Sequence, residues 1–313
     1  MNKTIVNTYI WTLDTLKKLK FQLLVRPFLR KKPQYDKAHA FSICAIFKDE
    51  GNFLKEWVEY HQIVGIEHFY LYNNGSTDNF RDILQPYIEK GTITLIDFPG
   101  EKMQFKAYAD FYANYANETQ WVSFLDLDEF ICPNTSLNIK DWIKSYERFP
   151  AILIYWKMFG TSGLMKHDDE KLVTEQYHVC WDKMYHVGKC FFNTDYQIAN
   201  TKEAWFHQPV IYYPFLWWKM KVYSVNQFKK VCINELSKNI ITNEKNPPIQ
   251  INHYWSKAWN LYDAKRNRPS VNRGELKTRM PYFLWHENKN CSTDYNIYKY
   301  MMQLKLRMRG VEK

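Results

Sequence analysis

The sequence predicts an α/β fold: a central, mostly parallel sheet flanked by helices, then an irregular aromatic-rich half, with helices at both termini. Three observations predict it. Apolar, β-prone runs at residues 41–47, 68–72, 92–97 and from Trp121 alternate with stretches of helical periodicity. Successive strands are spaced by about twenty to thirty residues, which suits strand–helix–strand crossovers and a parallel sheet. Polar loops at 48–52, 73–78 and 126–129 follow three of these runs, at the end where open α/β sheets bind ligands.

Phe41-Ser42-Ile43-Cys44-Ala45-Ile46-Phe47 reads as a buried strand, and Lys48-Asp49-Glu50-Gly51-Asn52 as a turn into a helix. That helix should bury Phe53, Leu54, Trp57, Val58 and His61 and turn Glu56 and Glu59 outward. The second strand ends in Asn73-Asn74-Gly75-Ser76-Thr77-Asp78, whose Gly and Asn permit unusual backbone angles beside a ligand. Thr77 or Asp78 is the expected cap of the helix running to Glu89. The third strand leads through Pro99-Gly100 to a helix over 103–117. Past residue 150 come a strand at 152–156, a Gly-containing loop at 159–163, a solvated charged turn at 166–170 and a basic, Met-rich helix over 295–309. Aromatic clusters at 212–218 and 282–286 suit core, an acceptor platform or a membrane face. Lys189 reads as a surface lysine or a phosphate contact.

The densest chemical signal is Trp121 to Phe130, W-V-S-F-L-D-L-D-E-F. Read as one strand with a side-chain period of two, it points Asp126 and Asp128 the same way and Leu127 into the core. Converging carboxylates repel, and a hard divalent cation with oxygen ligands relieves that repulsion. Such a cation would hold a diphosphate; the bland alternative is a solvated acidic turn.

Composition bounds the rest. With 313 residues, 18% of them aromatic, and a formal net charge of +10, the chain has ample core and favours anionic partners. Zinc-finger spacing and RNA-binding signatures are missing, which argues against nucleic acid. The six cysteines are dispersed, as expected of reduced, buried thiols. Residues 1–38 form a basic amphipathic segment whose apolar runs fall far short of the ~20 residues that span a bilayer. It suits an anionic membrane surface or packing on the domain, and it lacks the pattern of a signal peptide.

Strand-K-D-E-G-N-F-L-x-E-W-V-x-Y-H, Y-N-N-G-S-T-D, Gln104 to Asp110 and W-V-S-F-L-D-L-D-E-F together resemble the nucleotide-sugar half of a GT-A (Rossmann-like) glycosyltransferase. With Trp156 to Gly163 and Ile251-Asn252-His253-Tyr254-Trp255-Ser256-Lys257, the chain is similar to glycosyltransferase family 92 and its bacterial family 2 relatives over Phe41 to Arg268. The resemblance implies a GT-A domain over 39–270, with a nucleotide-sugar half at 39–135 and an acceptor half at 136–270, followed by a basic helical segment at 271–313. It implies Mn2+ or Mg2+ held by Asp128 and His253, with Asp126 shared between ribose and metal. Ala45, Phe47, Glu50, Asn74, Asp78 and Gln104 would serve the nucleoside pocket, and Lys257 the phosphates. The Lys-Ser-x-Glu usual after the His-Tyr pair is Lys257-Ala258-Trp259-Asn260 here. That departure leaves the acceptor contacts of those positions open.

The implied activity is inverting transfer of a sugar, with galactose one candidate, from a UDP-linked donor to a glycan or glycolipid hydroxyl in surface polysaccharide or lipopolysaccharide synthesis. The expected location is cytoplasmic, peripheral on the inner face of the membrane. A general base would come from Asp168, Asp169, Asp182 or Glu203, between which sequence does not choose. Rival classes are a nucleotidyltransferase or phosphotransferase and a non-catalytic carbohydrate-binding protein. The first lacks the G-x-x-x-x-G-K-(S or T) phosphate loop it might be expected to show.

Overall fold

The computed structural model describes residues 3–29, 32–198, 207, 210–215, 218–232, 246–266 and 280–311. Its elements are α1 (Lys3–Lys20), β1 (His39–Phe47), α2 (Gly51–Ile63), β2 (His68–Asn73), α3 (Phe80–Glu89), β3 (Ile93–Asp97), α4 (Gln104–Asn114), β4 (Thr119–Phe124) and β5 (Glu129–Pro133). There follow α5 (Ile139–Ile143), β6 (Ala151–Met158), α6 (Val173–Gln176), β7 (Val179–Trp181), β8 (Tyr185–Asn193), β9 (Gln197–Ile198), β10 (Val210–Phe215), β11 (Trp218–Tyr223) and β12 (Val225–Asn226). The chain closes with β13 (Ile249–His253), α7 (Trp259–Arg266), α8 (Met280–Glu287), β14 (Asn290–Thr293) and α9 (Met301–Met308).

One mixed sheet of nine strands organises the described residues, in the order β3-β2-β1-β4-β8-β6-β13-β5 with β12 beside β6. β3, β2, β1 and β4 are parallel neighbours, as the crossover spacing predicts. Beyond β4 the sheet departs from that rule. β8 runs antiparallel to both β4 and β6, β13 joins β6 in parallel, and β5 closes the edge antiparallel to β13.

Trp121 to Phe130 is not one strand. β4 stops at Phe124 and β5 starts at Glu129, so Asp126-Leu127-Asp128 is the bend between two strands. The period of two therefore does not set where Asp126 and Asp128 point, although Leu127 is buried as expected.

Glu56 and Glu59 do not face outward; both are buried. A second layer covers α2 on the side away from the sheet. Glu56 accepts the backbone N–H groups of Val173 and Thr174 at 2.8 and 2.9 Å, tying down α6. Glu59 accepts from the Tyr87 hydroxyl and pairs with Arg307 of α9. Two-sided cover of a helix is invisible to periodicity when the second face is polar but hydrogen-bonded.

The amino-terminal segment divides at Lys20. Tyr9, Leu13, Leu16 and Leu19 of α1 are exposed, whereas Phe21, Val25 and Leu29 join the main core. Ile297, Tyr300 and Leu304 join the same core from the other end of the chain. No helix among the described residues is long and apolar enough to cross a membrane. Of the six cysteines, five are buried and free and Cys291 is exposed.

Candidate active site

Parallel pairing sets Phe47 beside Asn73, so the loops leaving β1 and β2 emerge side by side. They are tied together. Asp49, held at φ +51°, donates its N–H to Ser76 Oγ at 3.0 Å and accepts the Thr77 N–H at 2.8 Å. Asp78 does not cap α3. Its Oδ2 accepts the Gly51 N–H at 2.7 Å and so caps α2 from the neighbouring loop. Position 51 suits glycine because a Cβ there would lie 2.9 Å from that oxygen.

The crevice wall keeps unused acceptors. Asn74 Oδ1, Asp78 Oδ1 and Gln104 Oε1 are buried with no hydrogen-bond partner among the described residues. Buried acceptors without donors are costly, and three at the ends of neighbouring strands suit a ligand rich in N–H and O–H groups. Ala45 and Phe47, expected to line the nucleoside pocket, are buried. Phe47 packs edge-on against Phe80, with ring centres 5.4 Å apart.

The Asp126 side chain is partly exposed but rests on buried partners. Its carboxylate takes the Lys189 ammonium at 3.0 Å and the Gln104 amide at 3.1 Å, while its own N–H donates to Glu129 Oε2. Lys189 is fully buried on β8, 3.5 Å from Glu129, and not the surface lysine expected. Burial, together with the charges of Asp126 and Asp128, pushes the Glu129 carboxyl well up, and Lys189 offsets this only in part. Glu129 thus braces the acidic bend as a buried acceptor.

Asp128 is buried and meets different partners. The backbone around it is fixed, since its carbonyl accepts the Tyr254 N–H at 2.8 Å. His253, the last residue of β13, pairs across to Glu129 and Met158, which brings its Nε2 to 3.5 Å from Asp128 Oδ1. The His253 ring packs on Trp156, and its Nδ1 is buried without a partner among the described residues. The second oxygen, Oδ2, takes the Lys265 ammonium of α7 at 2.6 Å. Burial alone would raise the Asp128 carboxyl, but the charges of Lys265 and His253 hold it well below the usual carboxylate range.

Glu50 completes the mouth, 3.8 Å from Lys257 and 4.0 Å from Lys265. Lys257 adopts φ +52° and lies over the Phe53 ring at 3.5 Å. Its ammonium is lowered by burial and by Lys265, with Glu50 opposing.

The candidate bases are less gathered. Asp168 is held in the exposed turn, paired with Lys171 at 3.2 Å and accepting the Glu170 N–H. Asp169 is exposed beside it. Asp182 is exposed, and its carbonyl accepts the Lys157 ammonium at 3.0 Å. Glu203 lies outside the described residues.

Sequence reasoning missed Lys265 and misjudged Lys189. For Lys189 a signal existed: a lone cation followed by Cys190-Phe191-Phe192 has few uses inside a strand except as a counter-ion. Lys265 carried none, because a basic residue on a short polar helix has every reason to be solvated.

Among the described residues, no three His, Cys, Asp or Glu side chains form a preassembled metal site. Asp128 Oδ1 and His253 Nε2 are nonetheless placed to share one cation, with the remaining positions open to a ligand's oxygens. An acidic bend after the fourth parallel strand, faced by a histidine from a late strand, is what the GT-A resemblance implies. The pattern of glycosyltransferase family 92 matches residues 37–268. The chain belongs to glycosyltransferase family 92.

A family 92 protein of Ricinus communis is 33% identical over 147 residues, covering 45% of this chain and 26% of the relative. Galactan beta-1,4-galactosyltransferase GALS2 of Arabidopsis thaliana is 28% identical, covering 40% of this chain and 26% of the relative. The chain thus spans about a quarter of the length of these relatives. Among solved structures, S. aureus TarS is similar at 15% identity with TM-score 0.34, covering 50% of this chain and 47% of that one. Glucosyl-3-phosphoglycerate synthase of Mycobacterium tuberculosis, solved with Mn2+, uridine diphosphate and glucosyl-3-phosphoglycerate, is similar at 14% identity with TM-score 0.27, covering 38% and 44%. The fold of this family 92 chain is α/β, with a curled, mostly parallel central sheet flanked by helices.

Proposed function

We propose that this family 92 chain is a divalent-metal-dependent, inverting glycosyltransferase. It takes a sugar from a UDP-linked donor to a hydroxyl of a glycan or glycolipid, in surface polysaccharide or lipopolysaccharide synthesis. Galactose is the first sugar to try, because relatives named as galactosyltransferases match. The observation that carries the reading is the approach of Asp128 and His253 to 3.5 Å beside loops with unpartnered buried acceptors.

Asp128 and His253 would hold Mn2+ or Mg2+, which when bound supplies charge neutralisation to a leaving diphosphate. Asn74 and Asp78 offer acceptors to the base or ribose. Gln104 and Lys189 fix the Asp126 carboxylate, and this favours a nucleoside contact over a metal bond for that residue. Lys257 lies beside Glu50, where a phosphate could take its charge. The acceptor proton requires a base, and Asp182 is the first to test. Lys157, which binds its carbonyl, pairs in the sheet with Asn252, next to His253. A solvated carboxylate there can open to the acceptor side, while Asp168 is engaged by Lys171.

The exposed apolar residues of α1 beside Lys17, Lys18 and Lys20 support peripheral contact with an anionic lipid surface on the cytoplasmic face. No nucleic acid partner is invoked.

The test is a screen of nucleotide sugars for slow Mn2+-dependent hydrolysis, which needs no knowledge of the acceptor. UDP-galactose hydrolysis lost with chelator and in Asp128→Asn supports the proposal. Absence of hydrolysis and of nucleotide-sugar binding for every donor would favour a non-catalytic protein of the same fold.

A further inference from the structure

The two carboxylates of the acidic bend each hold a lysine, but the lysines are built differently. Lys189 arises from the middle of β8 and is fully buried. Lys265 arises from α7, and its side chain is 51% exposed although it makes the shorter contact, 2.6 Å to Asp128 Oδ2. α7 is anchored at its start. The Trp259 and Asn260 N–H groups donate to the Leu164 and Met165 carbonyls, and the Asn260 side chain accepts the His167 N–H. Lys265 lies near the other end of the helix, on a four-carbon stem that can swing without moving that anchor. Glu50, 4.0 Å from the same ammonium, offers it a second anionic position.

We infer that Lys265 is a displaceable counter-ion of Asp128, holding the carboxylate that a divalent cation would take and setting how tightly that cation binds. This inference rests on the metal-binding role proposed above for Asp128 and His253. Asp128 is 5% exposed, and a buried carboxylate left without a cation is costly. An incoming ion must therefore compete with the ammonium for Oδ2, while Oδ1 faces His253 Nε2 at 3.5 Å. A positive charge fixed at 2.6 Å also repels a second cation arriving at the same group. Removing the lysine removes both obstacles. In the resting protein Lys265 keeps the bend ordered; on cation binding its ammonium moves toward Glu50 and solvent.

The test measures Mn2+ binding to the full chain by titration calorimetry, without nucleotide, for wild type, Lys265→Met, Lys265→Gln and Lys265→Arg. Both neutral variants should bind Mn2+ at least ten-fold more tightly than wild type, and the arginine variant within a few-fold of it. Thermal unfolding gives a second readout: Mn2+ should raise the melting temperature of Lys265→Met more than that of wild type. Asp128→Asn in the Lys265→Met background should abolish the gain. Equal Mn2+ affinity in wild type and both neutral variants overturns the inference and leaves the metal-site proposal standing. Binding by none of the proteins, or binding that survives Asp128→Asn, overturns both.

Discussion

The two aspartates of the acidic bend solve the same electrostatic problem in opposite ways. Around Asp126, itself partly exposed, the partners are permanent: a fully buried lysine, a glutamine amide and a buried glutamate. Around Asp128 they are provisional: a half-exposed lysine and a histidine with an unused nitrogen. Two aspartates two residues apart thus sit in different electrostatic surroundings. The spacing D-x-D alone treats them as equals.

The difference can be broken or sharpened by substitution. Lys189→Met should cost the most, about 3–5 kcal/mol of stability by urea unfolding, because a fully buried ammonium and its contact with the fully buried Glu129 are lost. Lys265→Met should cost less, about 1–3 kcal/mol, because the ammonium is half exposed although the Asp128 carboxylate it leaves is buried. Equal losses would erase the distinction between the two lysines. Next in size, Asp128→Asn should lower Mn2+-dependent donor hydrolysis on the order of 100-fold, the scale of losing several kcal/mol of charge stabilisation. Asp126→Asn should lose about 2 kcal/mol of stability by leaving Lys189 with fewer partners.

A pH titration adds a smaller effect. His61 is fully buried and its two ring nitrogens are both used: Nδ1 at 2.8 Å from the Trp57 carbonyl and Nε2 accepting the Ile131 N–H at 3.3 Å. Burial lowers it to about 3. The unfolded chain takes up a proton below ~6.5 that the folded chain refuses, so stability should fall by about 1.4 kcal/mol per pH unit as pH drops through that window. Asp128 does not contribute there. Its depressed carboxyl adds stability that is present above ~3.9 and lost only as pH falls further. Urea midpoints between pH 6.5 and 5 should therefore slope more steeply in wild type than in His61→Gln, where His68, lowered by burial to about 4, still contributes; the same slope in both would assign the loss elsewhere.

Much of the first half was legible from residues alone. β1, α2, β2, β3 and α4 lie within a few residues of their expected positions, because each is a local pattern ended by polar residues. The acidic bend and His253 were also legible, the latter only through family resemblance. What escaped was set by contacts distant in sequence. Asp78 caps a helix 27 positions earlier, Glu56 is claimed by backbone 117 positions later, and Lys189 finds its carboxylate 63 positions away. Propensity and period describe neighbours along the chain, and none of these partners is one. The acceptor side stayed open because exposed acids such as Asp168 and Asp182 leave no packing signature.

The place of β13 between β6 and β5 bears on how the protein is made. Among the described residues β5 has one ladder partner in the sheet, residues 249–253. A ribosome therefore releases Asp128 and the strand after it long before the segment that pairs with them and delivers His253. Until then β5 is an unpaired edge, and the site does not exist. Late closure of this kind slows folding and exposes intermediates to aggregation. It also means that the site is assembled only once the sheet's final insertion has taken place.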